Sequence, residues 1–269
     1  DYNEVFLIIR DGFCVLITSG KVVAFYNSDV PKNEVDELII MGEIFVEEVV
    51  ESKSIYMIKH EYSELSLERF QIRPSNINIE SHYNEDFKKV HQHIKDKLTA
   101  GTNGIILLHG NYGTGKTYYI RHLINTISRQ FVYFPINMMD CLSSPGFMPF
   151  LADHQDIVLI LEDCESLIMK REKEKNESSA LSNLLNLGDG LLGDALKINV
   201  ICTFNSKLTE IDDALLRKGR LIAKYEFNEL EVDKAQDLAI DLGISKIIKQ
   251  PMTVADIYDL REKMDVVPF

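Results

Sequence analysis

"GNYGTGKT", residues 110–117, decides how the rest of this chain is read. It fits G-x-x-x-x-G-K-[ST] at every fixed position, with the strand-like "IILLH" before it and the helix-like "KTYYIRHL" after it. Glycines at 110, 113 and 115 let the backbone curl so that successive N–H groups point at phosphate oxygens. Lys116 then reaches the β- and γ-phosphates and Thr117 offers its hydroxyl to Mg²⁺, while the helix that starts there adds its positive dipole end. A plain glycine turn between strand and helix is the competing reading, and the regular flanks count against it. The expected ATP contacts are Gly110, Asn111, Tyr112, Gly113, Thr114, Gly115, Lys116, Thr117 and Tyr118.

A phosphate cradle needs acids nearby, and "LILEDCE" (residues 159–165) supplies them at the end of a later apolar run. One carboxylate is required on the Mg²⁺ side and a second must orient the attacking water. Glu162 stands where the first belongs and Asp163 where the second belongs. The apolar run "VICTFN" ends at Asn205, whose amide can hold the attacking water; an Asn capping a strand-to-loop turn would look the same. Shortly after comes "IDDALLRKGRLIAKYEF", with Arg217 and Arg220 three apart. Guanidiniums at the end of a short helix are well suited to reach a neighbouring subunit's γ-phosphate as arginine fingers, although a basic surface turn also fits.

Around these motifs the periodicity changes once. The first eighty or so residues read as strands: "VFLIIR", "FCVLITSG", a hairpin turn at "SGK" before "VVAFYN", then "SIYMIKHE" and "RFQIRP". Acids outnumber bases there roughly two to one, densest at "VEEVVE", which is either a solvated face or a docking site. From Glu85, "EDFKKVHQHIKDKLTAG" carries Phe87, Val90, Ile94 and Leu98 at helical spacing and stops at Gly101. Apolar strands then alternate with amphipathic helices, which predicts an α/β fold with a parallel sheet covered by helices on both faces. "KREKEKNESS" (170–179) reads as a polar loop, and "VDKAQDLAIDLG" and "TVADIYDLREKM" as a small helical piece. The expected division is a β-rich domain at 1–78, a P-loop core at 79–228 and a short helical lid at 229–269.

Composition narrows the function. At 269 residues and 45% hydrophobic, the chain can bury one large core plus a smaller one, and no stretch is apolar and long enough to span a membrane. Cys14, Cys141, Cys164 and Cys202 form no CxxC pair, which points to reduced thiols in a cytoplasmic protein and away from zinc or a disulfide framework. The N-terminus carries no signal-peptide pattern but begins at Asp1, so sequence upstream is expected. A net charge of −13 counts against nucleic acid as a partner.

Together the four motifs resemble the AAA+ ATPases, and specifically the AAA clade with its second region of homology, over about Glu80 to Phe269. That clade reads T-x-N, then D-x-A-L-L-R-P-G-R-F-D; the matching residues here are Thr203, Asn205, Asp213, Ala214, Leu215, Leu216, Arg217, Gly219 and Arg220. "NLLNLGDGLL" resembles the clade's helix ending in L-D-G-L. Lys218 replaces the usual proline, "LIAK" replaces F-D-R-K, and Val254 replaces a glycine in "PMTVADI". The Glu-Asp order of the acids is similar to that of the mitochondrial Rieske-protein translocase branch. The resemblance implies ATP and Mg²⁺ as cofactors, ATP hydrolysis, and a homo-oligomeric ring, expected to be hexameric, joined through the arginine fingers. It also implies an unidentified protein client that is remodelled or assembled, with a nucleotide-gated scaffold as the alternative and a DNA-handling loader as the third. Where the family carries a pore loop this chain has "SSPGFMPFL" (143–151), with Phe147, Met148 and Phe150 forming either a variant pore loop or a helix packed on the sheet.

Overall fold

A computed structural model describes residues 4–18, 21–45, 53–61, 64–75, 77–168, 179–188, 191–205, 211–217 and 219–265. Two compact units result, Asp1–Ser52 and Lys53–Phe269. In the first, β1 (Glu4–Arg10), β2 (Phe13–Thr18) and β3 (Lys21–Tyr26) form an antiparallel meander, followed by α1 (Lys32–Phe45). Thr18 pairs with Lys21, as the expected hairpin requires. Helix α1 was not anticipated: residues rich in Val, Ile and Met read as strand, yet Val35 and Leu38, three apart, pack on Phe13, Val15 and Ala24. "VEEVVE" and most of "KREKEKNESS" lie outside the described residues.

In the second unit, β4 (Ser54–Glu61) and β5 (Glu64–Gln71) make a hairpin that precedes the boundary expected at residue 78. Ile55, Tyr56 and Met57 pair in parallel with Phe131, Val132 and Tyr133, so the hairpin extends the core sheet. Then follow α2 (Ile79–His82), α3 (Phe87–Thr99), β6 (Gly104–Gly110), α4 (Lys116–Thr126) and β7 (Gln130–Tyr133). A 3₁₀ helix (Ile136–Ser143), α5 (Phe147–Asp153), β8 (Ile157–Leu161), α6 (Glu165–Ile168), α7 (Ser179–Gly188) and α8 (Leu191–Leu196) lead to β9 (Asn199–Phe204) and β10 (Leu221–Phe227). Helices α9 (Val232–Asp241) and α10 (Val254–Asp265) close the described chain. Among the described residues no helix is long and apolar enough to cross a membrane.

The seven-stranded sheet runs β10-β6-β9-β8-β7-β4-β5, parallel throughout except for β5. Every residue of β6, β8 and β9 is buried, as expected for central strands covered on both faces. Alternate side chains feed two cores. Ile105, Leu107, Leu159, Leu161, Val200 and Cys202 meet α5 and α7 on one face. On the other, Ile106, Leu108, Val158, Ile160 and Ile201 meet Phe87, Ile94 and Leu98 of α3 and Tyr119, Ile120 and Leu123 of α4. Helix α3 ends as its sequence implied, with Gly101 at φ 64° just past the capping residue Ala100.

Residues 144–151 take the packed alternative. Phe147, Phe150 and Leu151 of α5 are buried in the sheet core, and Phe147 meets Phe134 edge-on at 5.9 Å. Leu238, Ile244, Ile248 and Ile257 gather α9 and α10 around a small core of their own. Removing a fully buried aromatic leaves a cavity that neighbours fill only in part, so Phe147→Ala should cost about 3–5 kcal/mol of unfolding free energy in a urea titration. A loss under about 1 kcal/mol would be the signature of a solvent-facing loop instead.

Candidate functional site

The site forms where the C-terminal ends of β6, β9 and β8 meet, because β9 pairs with both of the others. At the end of β6 the chain turns back sharply. Gly110 has φ 131°, and a Cβ there would stand 2.1 Å from the Phe227 carbonyl oxygen. Gly115 has φ 98° and packs against the Tyr83 ring, whose hydroxyl donates to the Gly115 carbonyl at 3.0 Å. Only glycine fits either position without strain. The turn therefore depends on the residue types that its motif specifies.

Lys116 fills the inside of this turn. Its ammonium donates to the carbonyls of Gly110 (2.7 Å) and Asn111 (2.9 Å) and to Asn205 Oδ1 (2.9 Å). The side chain is buried, which lowers its pKa, while the carboxylates of Asp163, Glu165 and Glu162 act in the opposite sense. Thr117 Oγ1 donates to Glu162 Oε1 at 2.7 Å. A hydroxyl and a carboxylate oxygen in contact are a fitting pair for Mg²⁺, a hard cation that takes few protein oxygens and keeps several waters.

Asp163 adopts φ 50°, a left-handed conformation that Asp tolerates better than most residues. Its N–H is held by Thr203 Oγ1 at 3.1 Å and its Oδ1 accepts from Asn205 Nδ2 at 3.1 Å. Glu165 Oε1 accepts both the Asn205 backbone N–H (2.7 Å) and Asn205 Nδ2 (3.0 Å). The sequence reading missed Glu165, although its signal lay in the third acid of "LILEDCE".

Beside the turn of residues 110–117 lies a cavity of about 410 Å³, within the size range of small-molecule sites. Tyr112, Gly113, Gly115, Lys116, Thr117 and Tyr118 line one side, and Asp163 and Asn205 the base. Its other wall is α10, through Val254, Ala255, Tyr258 and Asp259; of these the sequence had marked only Val254, as the replacement of a glycine. Positions 254/255 and 258/259 share a helix face, but periodicity cannot say what that face meets. The Gly113 carbonyl accepts from Ala255 N–H at 3.0 Å, Tyr258 stacks on Tyr118, and its hydroxyl is hydrogen-bonded to His82 Nε2 at 3.0 Å. Burial lowers the His82 pKa, so this imidazole favours the neutral form.

Thr114 is buried inside the turn, where its Oγ1 donates to the carbonyl of the exposed Asn111 at 2.7 Å. Arg217 and Arg220 are absent from the cavity wall. Arg217 is exposed, whereas Arg220 is half-buried and donates to the Ala214 carbonyl at 3.3 Å.

Residues 106–229 match the family described as "ATPase family associated with various cellular activities (AAA)". Over 145 residues the chain is 29% identical to the "ATPase family gene 2 protein" of Saccharomyces cerevisiae, an alignment covering 49% of this chain and 18% of that protein. The matched region is thus less than a fifth of that relative. Both likenesses support an ATPase domain of the AAA type, and the mixed α/β architecture with its largely parallel sheet agrees with an AAA core.

Because the Lys116 ammonium lies on backbone carbonyls that the turn itself presents, its removal should leave the fold in place and the phosphate site uncharged. Lys116→Ala should abolish tight ATP binding in calorimetry while its circular dichroism spectrum stays that of the wild type. Unchanged nucleotide affinity would mean that the turn is not a phosphate site.

Proposed function

We propose, taking the AAA match of residues 106–229 as premise, that this chain binds and hydrolyses ATP with Mg²⁺ and works as a homo-oligomeric ring on a protein partner. One observation carries the reading. A single hydrogen-bonded group joins the phosphate lysine, the polar residue ending β9 and the acids following β8: Lys116 to Asn205, and Asn205 to Asp163. Thr117 and Glu162 are joined beside it.

In this reading the backbone N–H groups of residues 113–117 and the Lys116 ammonium hold the phosphates. Thr117 and Glu162 hold Mg²⁺, which when bound neutralises charge on the β- and γ-phosphates. Asp163 takes a proton from water as the water oxygen attacks the γ-phosphorus; the bond to the β–γ bridging oxygen breaks, and ADP and phosphate leave. Asn205 positions that water. Arg217 and Arg220 act on a neighbouring subunit's γ-phosphate, and the exposure of Arg217 supports an action outside its own site.

Partner remodelling is the broader part of the proposal. It is supported by the first unit, whose sheet face opposite α1 exposes Phe6, Ile8, Val23 and Phe25. The three arrangements considered from sequence differ in behaviour: a remodeller turns over faster with its client, a scaffold assembles with ATP and without hydrolysis, and a loader binds DNA at physiological salt.

The inverted acids give a sharp test. Asp163→Asn should bind ATP and Mg²⁺ nearly normally but turn over about a hundredfold more slowly or worse, as expected for a lost general base. Glu162→Gln should weaken the Mg²⁺ dependence of binding. A Glu162→Gln protein that traps ATP, with Asp163→Asn fully active, would reverse the two roles.

Action across a subunit boundary is tested by mixing. Arg217→Ala alone should keep its ATP affinity and lose turnover by about 10³-fold or more. Combining it with Lys116→Ala protein should restore part of the activity, since mixed interfaces pair an intact site with an intact arginine. No rescue, with activity independent of protein concentration, would place the arginine's action within its own chain.

A further inference from the structure

Asn205 hydrogen-bonds to both Lys116 and Asp163, and its geometry is set by a third acid. Lysine only donates and carboxylates only accept, so the amide has one permitted orientation, with Oδ1 toward Lys116 and Nδ2 toward the acids. Turning the amide over would set donor against donor and oxygen against carboxylate. Of the two hydrogens on Nδ2, one goes to Asp163 Oδ1 and the other to Glu165 Oε1. The same Glu165 oxygen also takes the Asn205 backbone N–H, at 2.7 Å.

We propose that Glu165 is a positioning residue for hydrolysis: it clamps Asn205 through two donors on one carboxylate oxygen and so fixes where the Asn205 amide meets the attacking water. Two bonds from one oxygen to the main chain and the side-chain end of the same residue hold both the position and the rotamer. The clamp does not depend on Lys116. When a phosphate draws the ammonium away from Asn205 Oδ1, Glu165 keeps the amide in register and Oδ1 becomes available to the water. Asn205 Nδ2, bonded to both acids, also places a donor between two like charges that would otherwise repel.

This role rests on the ATP-hydrolysing reading above, and the test separates the two. Hydrogen bonds to a charged acceptor are strong enough that losing the clamp should slow turnover by about 10- to 100-fold. Glu165→Ala should lower kcat by that factor with KM within about twofold, and Glu165→Gln, which keeps an acceptor oxygen, should recover most of the loss. Because Glu165 acts through Asn205, the Glu165→Ala/Asn205→Ala protein should be no slower than Asn205→Ala alone. Independently of hydrolysis, the Asn205 side-chain amide protons should exchange with water faster in Glu165→Ala, read by NMR. Should Glu165→Ala fail to fold, Glu165→Asp, one methylene shorter, should show the same changes in smaller measure. Multiplicative losses in the double variant, an undiminished kcat, or unchanged amide exchange would each overturn the clamp. A wild-type protein that hydrolyses no ATP would instead overturn the function reading, with the exchange measurement still deciding the clamp.

Discussion

The ammonium of Lys116 is the constraint around which the site is organised. A buried positive charge must be met by acceptors, or its desolvation is uncompensated. Gly110 and Asn111 turn two carbonyls inward because the chain bends at a backbone angle that a side chain would forbid. The third acceptor comes from Asn205, and it is within reach because β9 lies next to β6 in the sheet. The acids arrive by the same logic, since β8 lies next to β9. Strand order therefore determines the chemistry at this end of the sheet. In the proposed function, phosphate oxygens would take the place of the carbonyls as lysine acceptors, so that an arrangement stable on its own could receive a nucleotide.

The wall formed by α10 has a different physical basis. Its helices pack on their own small core and meet the turn of residues 110–117 through Ala255 N–H on the Gly113 carbonyl, and α2 through Tyr258 with His82. Valine at 254, where the clade this chain resembles has glycine, is buried at the start of α10 and lines the cavity. For the proposed nucleotide, an apolar wall with a stacked tyrosine pair would suit the flat face of a base, while the polar groups gather at Lys116, Thr117 and Asp163.

Much of this was legible in the sequence for reasons that are themselves physical. Central strands buried on both faces must be continuously apolar, so β6, β8 and β9 declared themselves. The glycines of residues 110–117 are required by backbone sterics and cannot be disguised by context. The hairpin of β4 and β5 was visible as strands, but alternation along a strand does not say which sheet it joins; only its pairing with β7 settles that. Helix α1 was hidden because β-branched residues bias a local reading toward strand, and packing on the meander overrides that bias. Glu165 and Tyr258 were hidden for a simpler reason. Their partners lie 40 and 176 residues away, and no local pattern records such contacts.

The proposed function requires Lys116 to exchange its backbone and Asn205 acceptors for nucleotide phosphate. An experimental structure with a non-hydrolysable ATP analogue and Mg²⁺ measures this directly. The analogue's phosphates should lie within the turn of residues 110–117, with the Lys116 ammonium on them and no longer on the Gly110 and Asn111 carbonyls, and with Thr117 and Glu162 on the Mg²⁺ side. At saturating analogue, a Lys116 still bound to Gly110, Asn111 and Asn205 with no phosphate in the turn would contradict it.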